Sequence, residues 1–174
     1  MRRWNGWGDH EQHQPLTAPA LEFLRARIGA STPTRDASRE SVLAAVPASR
    51  FARGLFRDDP ALRLDLARGQ SYPDWLALRY GRIGPVADAV ALPETTDEAA
   101  EALKTAIDAG AIVIPYGGGT SVVGHLDVPA GERPVVNLSM ARLNRLLAVD
   151  HRNWTARFEA GTPGPLVESQ LRQH

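Results

Sequence analysis

The run Pro115, Tyr116, Gly117, Gly118, Gly119, Thr120 and Ser121 is the part of the sequence best suited to bind a ligand. Glycine lacks a Cβ atom, so its backbone can adopt positive φ angles and approach a ligand closely. Successive backbone N–H groups can then form a concave nest for a phosphate or pyrophosphate. The two hydroxyl groups that follow would add donors to the same anion. A flexible turn between strands is the alternative interpretation, because glycine-rich turns are common.

Two familiar phosphate-binding motifs do not fit this run. A dinucleotide-binding fingerprint needs a third glycine where Val122 stands, and it needs a helix that the extended-looking segment after Gly119 does not predict. A P-loop needs a lysine after its last glycine, and His125 occupies that position after Gly124. The sequence therefore does not favour a reaction on a nucleoside triphosphate.

A strand–helix–strand unit precedes the loop and should position it. The apolar run 86–92 predicts a buried strand, and Thr95 to Glu98 form a capping box that begins a helix. Gly110 ends that helix, and the β-branched run 111–114 predicts a second strand. Such a unit is expected to be parallel and right-handed, with the loop at the carboxyl end of its second strand.

The remaining elements predict an α+β fold in two parts. Residues 88–174 continue with a strand over 134–138, a hairpin of 146–150 and 154–159, and a helix from 166. Residues 1–87 instead predict short helices joined by Pro and Gly. Thirteen arginines and nine acidic residues give this first part a charge of +4, and the second part carries −4. We therefore place a boundary between a helical N-terminal arm, 1–87, and the unit 88–174.

Composition excludes several classes of function. The absence of cysteine rules out disulfides, thiolate catalysis and cysteine-ligated metals. His10 and His13 could share a helix face, but a solvated segment explains them better, and we expect no metal site. The formal net charge of zero gives no electrostatic footprint for nucleic acid. No apolar run predicts a membrane span or a secretory signal, so we expect a cytoplasmic protein.

Several motifs together resemble one family. The glycine run, Val90 to Pro93 before it and the helix start at Thr95 resemble the FAD-binding domain of the vanillyl-alcohol-oxidase superfamily, the FAD-linked oxidases with a PCMH-type domain. Within it the chain is most similar to the alkylglycerone-phosphate synthase branch and its bacterial relatives, and the likeness covers nearly the whole chain. The segments that carry this closer resemblance are 3–8, 144–146, 149–150, 155–156 and 159–161.

The resemblance implies a fold and a cofactor. It implies that residues 88–174 are the N-terminal part of a PCMH-type FAD-binding domain, truncated at its C-terminus, and that residues 115–121 hold the FAD pyrophosphate. Some members carry a histidine in this loop that bonds to the flavin ring. Thr120 stands at that position here, so non-covalent FAD is expected.

The resemblance also implies an enzyme. Synthases of this branch exchange an acyl for an alkyl group on an ether-lipid precursor, so we expect a small-molecule substrate. The alternatives are an FAD-dependent 2-hydroxy-acid dehydrogenase or oxidase of the lactate or glycolate type, and a truncated, inactive nucleotide-binding fragment. Members of the family are much longer and their catalytic groups lie downstream. No catalytic residue is therefore named, we expect the isolated chain to be inactive, and a homodimer is one expected assembly.

Overall fold

The computed structural model describes residues 3–8, 11 and 14–174, and His10 and His13 lie outside that part. Its helices are α1 (Ala18–Ile28), α2 (Arg39–Ala44), α3 (Pro60–Asp65), α4 (Tyr72–Arg79), α5 (Thr96–Asp108) and α6 (Gly164–Leu171). Its strands are β1 (Phe56–Arg57), β2 (Ala89–Ala91), β3 (Ile112–Tyr116), β4 (Val135–Ser139), β5 (Leu146–Asp150) and β6 (Thr155–Phe158). The predicted α+β class is confirmed.

Four of the strands form one mixed sheet in the order β1-β2-β4-β3. Strands β2, β4 and β3 are parallel, and β1 adds to the edge antiparallel to β2. The predicted parallel strand–helix–strand unit is confirmed, but its two strands are not neighbours because β4 lies between them. The carboxyl ends of three parallel strands therefore meet at one edge of the sheet. Strands β5 and β6 form the predicted hairpin as a separate sheet.

Helix α5 begins and ends at the residues that the sequence predicts. The Thr95 hydroxyl accepts a hydrogen bond from the Glu98 N–H at 3.1 Å, as in a capping box. The Glu98 carboxylate, however, accepts from the Glu94 N–H at 2.7 Å, one residue before the expected partner. Gly110 adopts a φ of +66° just beyond the helix, which is the left-handed conformation that ends many helices.

Small side chains allow α5 to pack closely against the sheet. Ala102 and Ala106 are completely buried and belong to one apolar cluster with residues of β1, β2 and β4. A second cluster lies within the N-terminal half and joins α2, α3 and α4 to Ile83 and Val86. Helix α1, by contrast, buries none of its side chains.

Strand β1 was not predicted, because two residues carry no periodic pattern. It belongs to the N-terminal half, and Phe56 and Arg57 pair with Ala91 and Val90 of β2. The N-terminal half therefore contributes one strand to the sheet as well as helices. The division between 1–87 and 88–174 stays a prediction.

The buried carboxylate of Asp88 connects the N-terminal half to the start of β4. Its Oδ1 accepts from the Arg50 N–H and Nε, and its Oδ2 accepts from Arg50 Nη2 and from the Val135 N–H, at 2.8–3.1 Å. The Asp88 side chain is 3% exposed. Burial alone would raise the pKa of Asp88, but the hydrogen bonds from Arg50 and the Val135 N–H outweigh it, and the pKa lies below its usual value.

Replacing Asp88 with Asn should destabilise the protein by about 2 kcal/mol at pH 7, because Arg50 and the Val135 N–H lose a charged acceptor. The pKa of Asp88 in the folded protein lies below its unfolded value of about 3.9. The stabilisation is therefore complete at neutral pH and is lost as the pH falls through the folded pKa. Urea unfolding at pH 7 and pH 3 measures this, and the difference between wild type and D88N should shrink at pH 3.

Asp58→Asn is the matched control, because it is the same substitution at an exposed position. Equal stability losses in D58N and D88N at pH 7 would contradict the role given to Asp88.

Candidate functional site

The glycine loop leaves the sheet at the edge where three parallel strands end. Pro115 and Tyr116 are the last two residues of β3, so the strand continues further than the sequence predicts. Tyr116 pairs with Ser139, the last residue of β4. Residues 117–121 follow directly. Open α/β sheets place their ligands outside the carboxyl ends of the strands, which is where this loop lies.

Tyr116 fixes the start of the loop from inside the protein. Its side chain is 2% exposed, and its hydroxyl donates to the carbonyl of Arg68 at 3.2 Å. Its own carbonyl accepts from the Met140 N–H at 2.9 Å. The ring lies so close to Gly119 that a Cβ atom on that glycine would overlap it. Tyr116 therefore supports the loop from below.

The three glycines serve two different purposes. Gly119 alone among them adopts a positive φ, +65°, and it faces the Tyr116 ring. Gly118 does not adopt a positive φ, although it is adjacent to Gly119. A Cβ atom on Gly117 would meet nothing within 4 Å, and one on Gly118 would meet only the Thr120 methyl group at 3.7 Å. Gly117 and Gly118 thus present open, exposed backbone.

Ser121 fixes the other end of the loop. Its carbonyl accepts from the Gln70 N–H at 2.5 Å, and its hydroxyl accepts from the His125 N–H at 3.3 Å. The Ser121 hydroxyl hydrogen can still be donated to a ligand. Thr120 is exposed between the two fixed ends. The loop is therefore fixed at Tyr116 and Ser121, and Gly117, Gly118 and Thr120 between them are exposed.

The donor set of this loop suits an anion. Residues 115–121 contain no charged side chain, so nothing acidic within the loop repels a phosphate. Backbone N–H groups and two hydroxyls are the polar groups that it offers, and no Cβ atom fills the space in front of Gly117. A pyrophosphate needs such a combination of close backbone approach and several donors.

A buried ion pair lies behind the loop. Arg68 donates to Asp74 at 3.0 Å, and the two side chains are 14% and 6% exposed. Asp127, six residues beyond Ser121, has a raised pKa because of partial burial and the nearby charge of Asp74, which Arg68 opposes. A raised pKa makes Asp127 easier to neutralise than an ordinary aspartate.

Sequence reasoning missed the residues behind the loop. In the segment from Gln70 to Trp75, Ser71 caps helix α4 by accepting from the Asp74 N–H. Trp4 packs against the apolar cluster of the N-terminal half, whereas Trp7 is mostly exposed and donates to the Gln70 carbonyl at 3.1 Å. The glycine at position 69, next to Arg68, was the available sequence signal, because a glycine often marks a point where two backbones approach closely.

In the part of the chain that the structure describes, no three His, Asp or Glu side chains converge as a metal site would require. Among the same residues, no helix has both the length and the apolar character needed to cross a membrane.

The family described as FAD binding domain matches residues 87–174 of this chain. Three curated relatives, each named alkyldihydroxyacetonephosphate synthase, match almost all of it. The proteins of Dictyostelium discoideum and Caenorhabditis elegans are 29% and 28% identical over 98% of this chain, and that of Trypanosoma brucei brucei is 27% identical over 99%. The match takes in 34% of each relative, so the chain spans about a third of their length.

The comparison with solved structures also finds alkyldihydroxyacetonephosphate synthases. Two structures of alkyldihydroxyacetonephosphate synthase superpose on 99% of this chain, with TM-scores of 0.77 and 0.75 and identities of 26% and 25%. The superposed region is 38% and 37% of those chains. The similarity therefore covers the N-terminal half as well as the sheet and the loop.

Replacing Gly119 with Ala should destabilise the protein by about 2 kcal/mol, because the new Cβ would overlap the Tyr116 ring and the φ of +65° disfavours any side chain. Gly117→Ala is the matched control, two residues away, where a Cβ meets open space. Its stability should stay within about 0.5 kcal/mol of wild type. Urea unfolding of the two variants compares them, and equal losses would contradict the separate roles of these glycines.

Proposed function

This chain belongs to the family of FAD-binding domains, and on that premise we propose that residues 115–121 hold the pyrophosphate of the cofactor FAD. The observation that carries the proposal is the open backbone at Gly117 and Gly118, placed where three parallel strands end. The pyrophosphate would lie against these two glycines. The hydroxyls of Thr120 and Ser121 would donate to its oxygens.

The fixed ends of the loop favour this assignment. Tyr116 and Ser121 are hydrogen-bonded to the protein behind them, so the positions of both ends of the loop are set before a ligand binds. A binding segment that is already ordered loses less conformational entropy on association. Glycine loses more conformational entropy on ordering than any other residue, so binding by three glycines of a mobile loop would be less favourable.

We propose further that FAD is held without a covalent bond to the loop. Thr120 stands where the resemblance implies a flavin-linked histidine in some members of the superfamily. A threonine hydroxyl can donate a hydrogen bond to the cofactor but is not expected to replace the imidazole in such a linkage. FAD would supply the chemistry through its flavin ring, and the residues of this chain would bind and orient it.

The activity that the similarity supports best is an FAD-dependent exchange of an acyl for an alkyl group on an ether-lipid precursor. Relatives named as synthases match 98–99% of the chain, so their similarity includes the arm. The match to the FAD-binding family, by contrast, begins only at residue 87. A shared arm favours the synthase over a 2-hydroxy-acid dehydrogenase built on the same cofactor domain. The catalytic groups are not assigned, and a homodimer stays a prediction.

An assay for this activity offers FAD, an acylated glycerone phosphate and a long-chain alcohol to a protein of the relatives' full length that carries these residues, because we expect the 174 residues alone to be inactive. The alkoxy group should replace the acyloxy group, and the fatty acid should leave as its carboxylate with no net oxidation. Oxidation of a 2-hydroxy acid by the same protein, with an electron acceptor present, would favour the dehydrogenase instead.

Replacing Gly118 with Val should weaken FAD binding by at least about tenfold, because the branched side chain would fill the space assigned to the pyrophosphate. The folded structure should remain, since a Cβ on Gly118 meets no atom closer than 3.7 Å. Titration with FAD, followed by flavin fluorescence and by the visible spectrum after desalting, measures the affinity.

Gly164→Val is the control for this experiment, because Gly164 also faces open space but lies at the start of α6. Its affinity for FAD should match wild type. An unchanged affinity in G118V would refute the assignment of the pyrophosphate to this loop.

A further inference from the structure

We infer that residues 66–70, here called the brace, set the conformation of the glycine loop from behind, and that Trp7 holds the brace in place. The brace belongs to the N-terminal half, outside the matched residues 87–174. Its effect on the loop follows from contacts within this chain. Its effect on cofactor affinity rests on the proposed function.

Both ends of the glycine loop are hydrogen-bonded to the brace. At the first end, the Tyr116 hydroxyl donates to the Arg68 carbonyl at 3.2 Å. At the second end, the Ser121 carbonyl accepts from the Gln70 N–H at 2.5 Å. The two bonds reach brace residues that are two positions apart. A displacement of the brace would therefore move the two ends of the loop together.

Gly69 lies between these two bonds and allows the close approach. A Cβ atom on Gly69 would overlap the carbonyl of Ser121, although the φ of Gly69 is not positive. Only a residue without a side chain lets the two backbones approach so closely. Gly69 is thus a glycine required by packing rather than by a turn.

The brace is itself fixed to the centre of the sheet. The Asn137 side chain, in β4, is almost completely buried, and its Nδ2 donates to the Leu66 carbonyl at 2.7 Å. The Arg68 guanidinium donates to Asp74 and also to the carbonyl of Ile83. Asp74 accepts in addition from the Ser71 hydroxyl at 2.5 Å. One buried cation therefore connects the brace to helix α4 and to the segment that follows it.

Trp7 completes the arrangement from the N-terminal segment. Its Nε1–H donates to the Gln70 carbonyl at 3.1 Å, and its ring lies 6.5 Å from the Tyr72 ring. Gln70 thus donates to the loop through its N–H and accepts from Trp7 through its carbonyl. Trp7 is a positioning residue, since it acts on the loop only through Gln70.

Hydrogen–deuterium exchange of the chain without FAD tests the brace directly. Trp7→Phe removes the N–H and keeps a ring, and Gly69→Ala places a Cβ against Ser121. Amides of residues 117–121 should exchange about fivefold faster in both variants, which corresponds to the loss of one ordinary hydrogen bond. Amides of β2 and β4 should exchange at the wild-type rate.

Matched controls exist for both changes. Trp154 is 92% exposed at the turn of the β5–β6 hairpin, and Gly164 faces open space. W154F and G164A should leave the loop amides at their wild-type rates. Unchanged loop exchange in W7F and G69A would overturn the inference, as would equal acceleration in the loop and in β4, which would indicate general destabilisation.

The cofactor part of the inference has its own measurement. FAD titration of W7F and G69A should give a weaker affinity than wild type, whereas W154F and G164A should match it. Faster loop exchange with unchanged FAD affinity would overturn the link to the cofactor and leave the brace intact. Because the exchange experiment contains no FAD, failure of the proposed function does not affect its result.

Discussion

The buried carboxylate of Asp88 is the interaction on which the arrangement of the sheet depends. It accepts from Arg50 of the N-terminal half and from the Val135 N–H at the start of β4. Strand β4 lies between β2 and β3, so the bond at Val135 helps to fix where all three parallel strands end. Removing one partner of such a buried charge pair is costly, because the other charge is left without compensation. The edge that carries the glycine loop follows from that placement.

Local signals in the sequence predicted the elements that depend on local chemistry. The capping box at Thr95 and the glycine at 110 define α5, and β-branched residues define β3, so these elements could be predicted without their neighbours. The insertion of β4 between β2 and β3 could not, because strand order is decided by the packing of both faces. Strand β1 and the brace have no periodic pattern, and their conformation depends on contacts with distant residues.

In the glycine loop, too, some features follow from the local sequence and others depend on contacts that the sequence does not show. Its composition predicts an anion site, because three adjacent glycines and two hydroxyls suit a phosphate wherever they are placed. The composition does not show which glycine adopts the positive φ, and the structure places it at Gly119, where the Tyr116 ring also leaves no room for a Cβ atom. The partners of the Tyr116 hydroxyl and the Ser121 carbonyl lie 48 and 51 residues earlier in the chain, at Arg68 and Gln70. No reading of the seven loop residues alone could supply them.

The physical unit that presents the loop is therefore larger than the segment that the FAD-binding family matches. Residues 87–174 contain the glycines, but the Tyr116 hydroxyl donates to the carbonyl of Arg68 and the Ser121 carbonyl accepts from the Gln70 N–H, both outside that segment. Without those partners a buried hydroxyl and a backbone carbonyl would each lose a bond, which costs about 1–3 kcal/mol for a buried group. Similarity to the synthases extends through the N-terminal half, which is what this dependence requires. The N-terminal half and the segment 87–174 thus determine the conformation of the loop together.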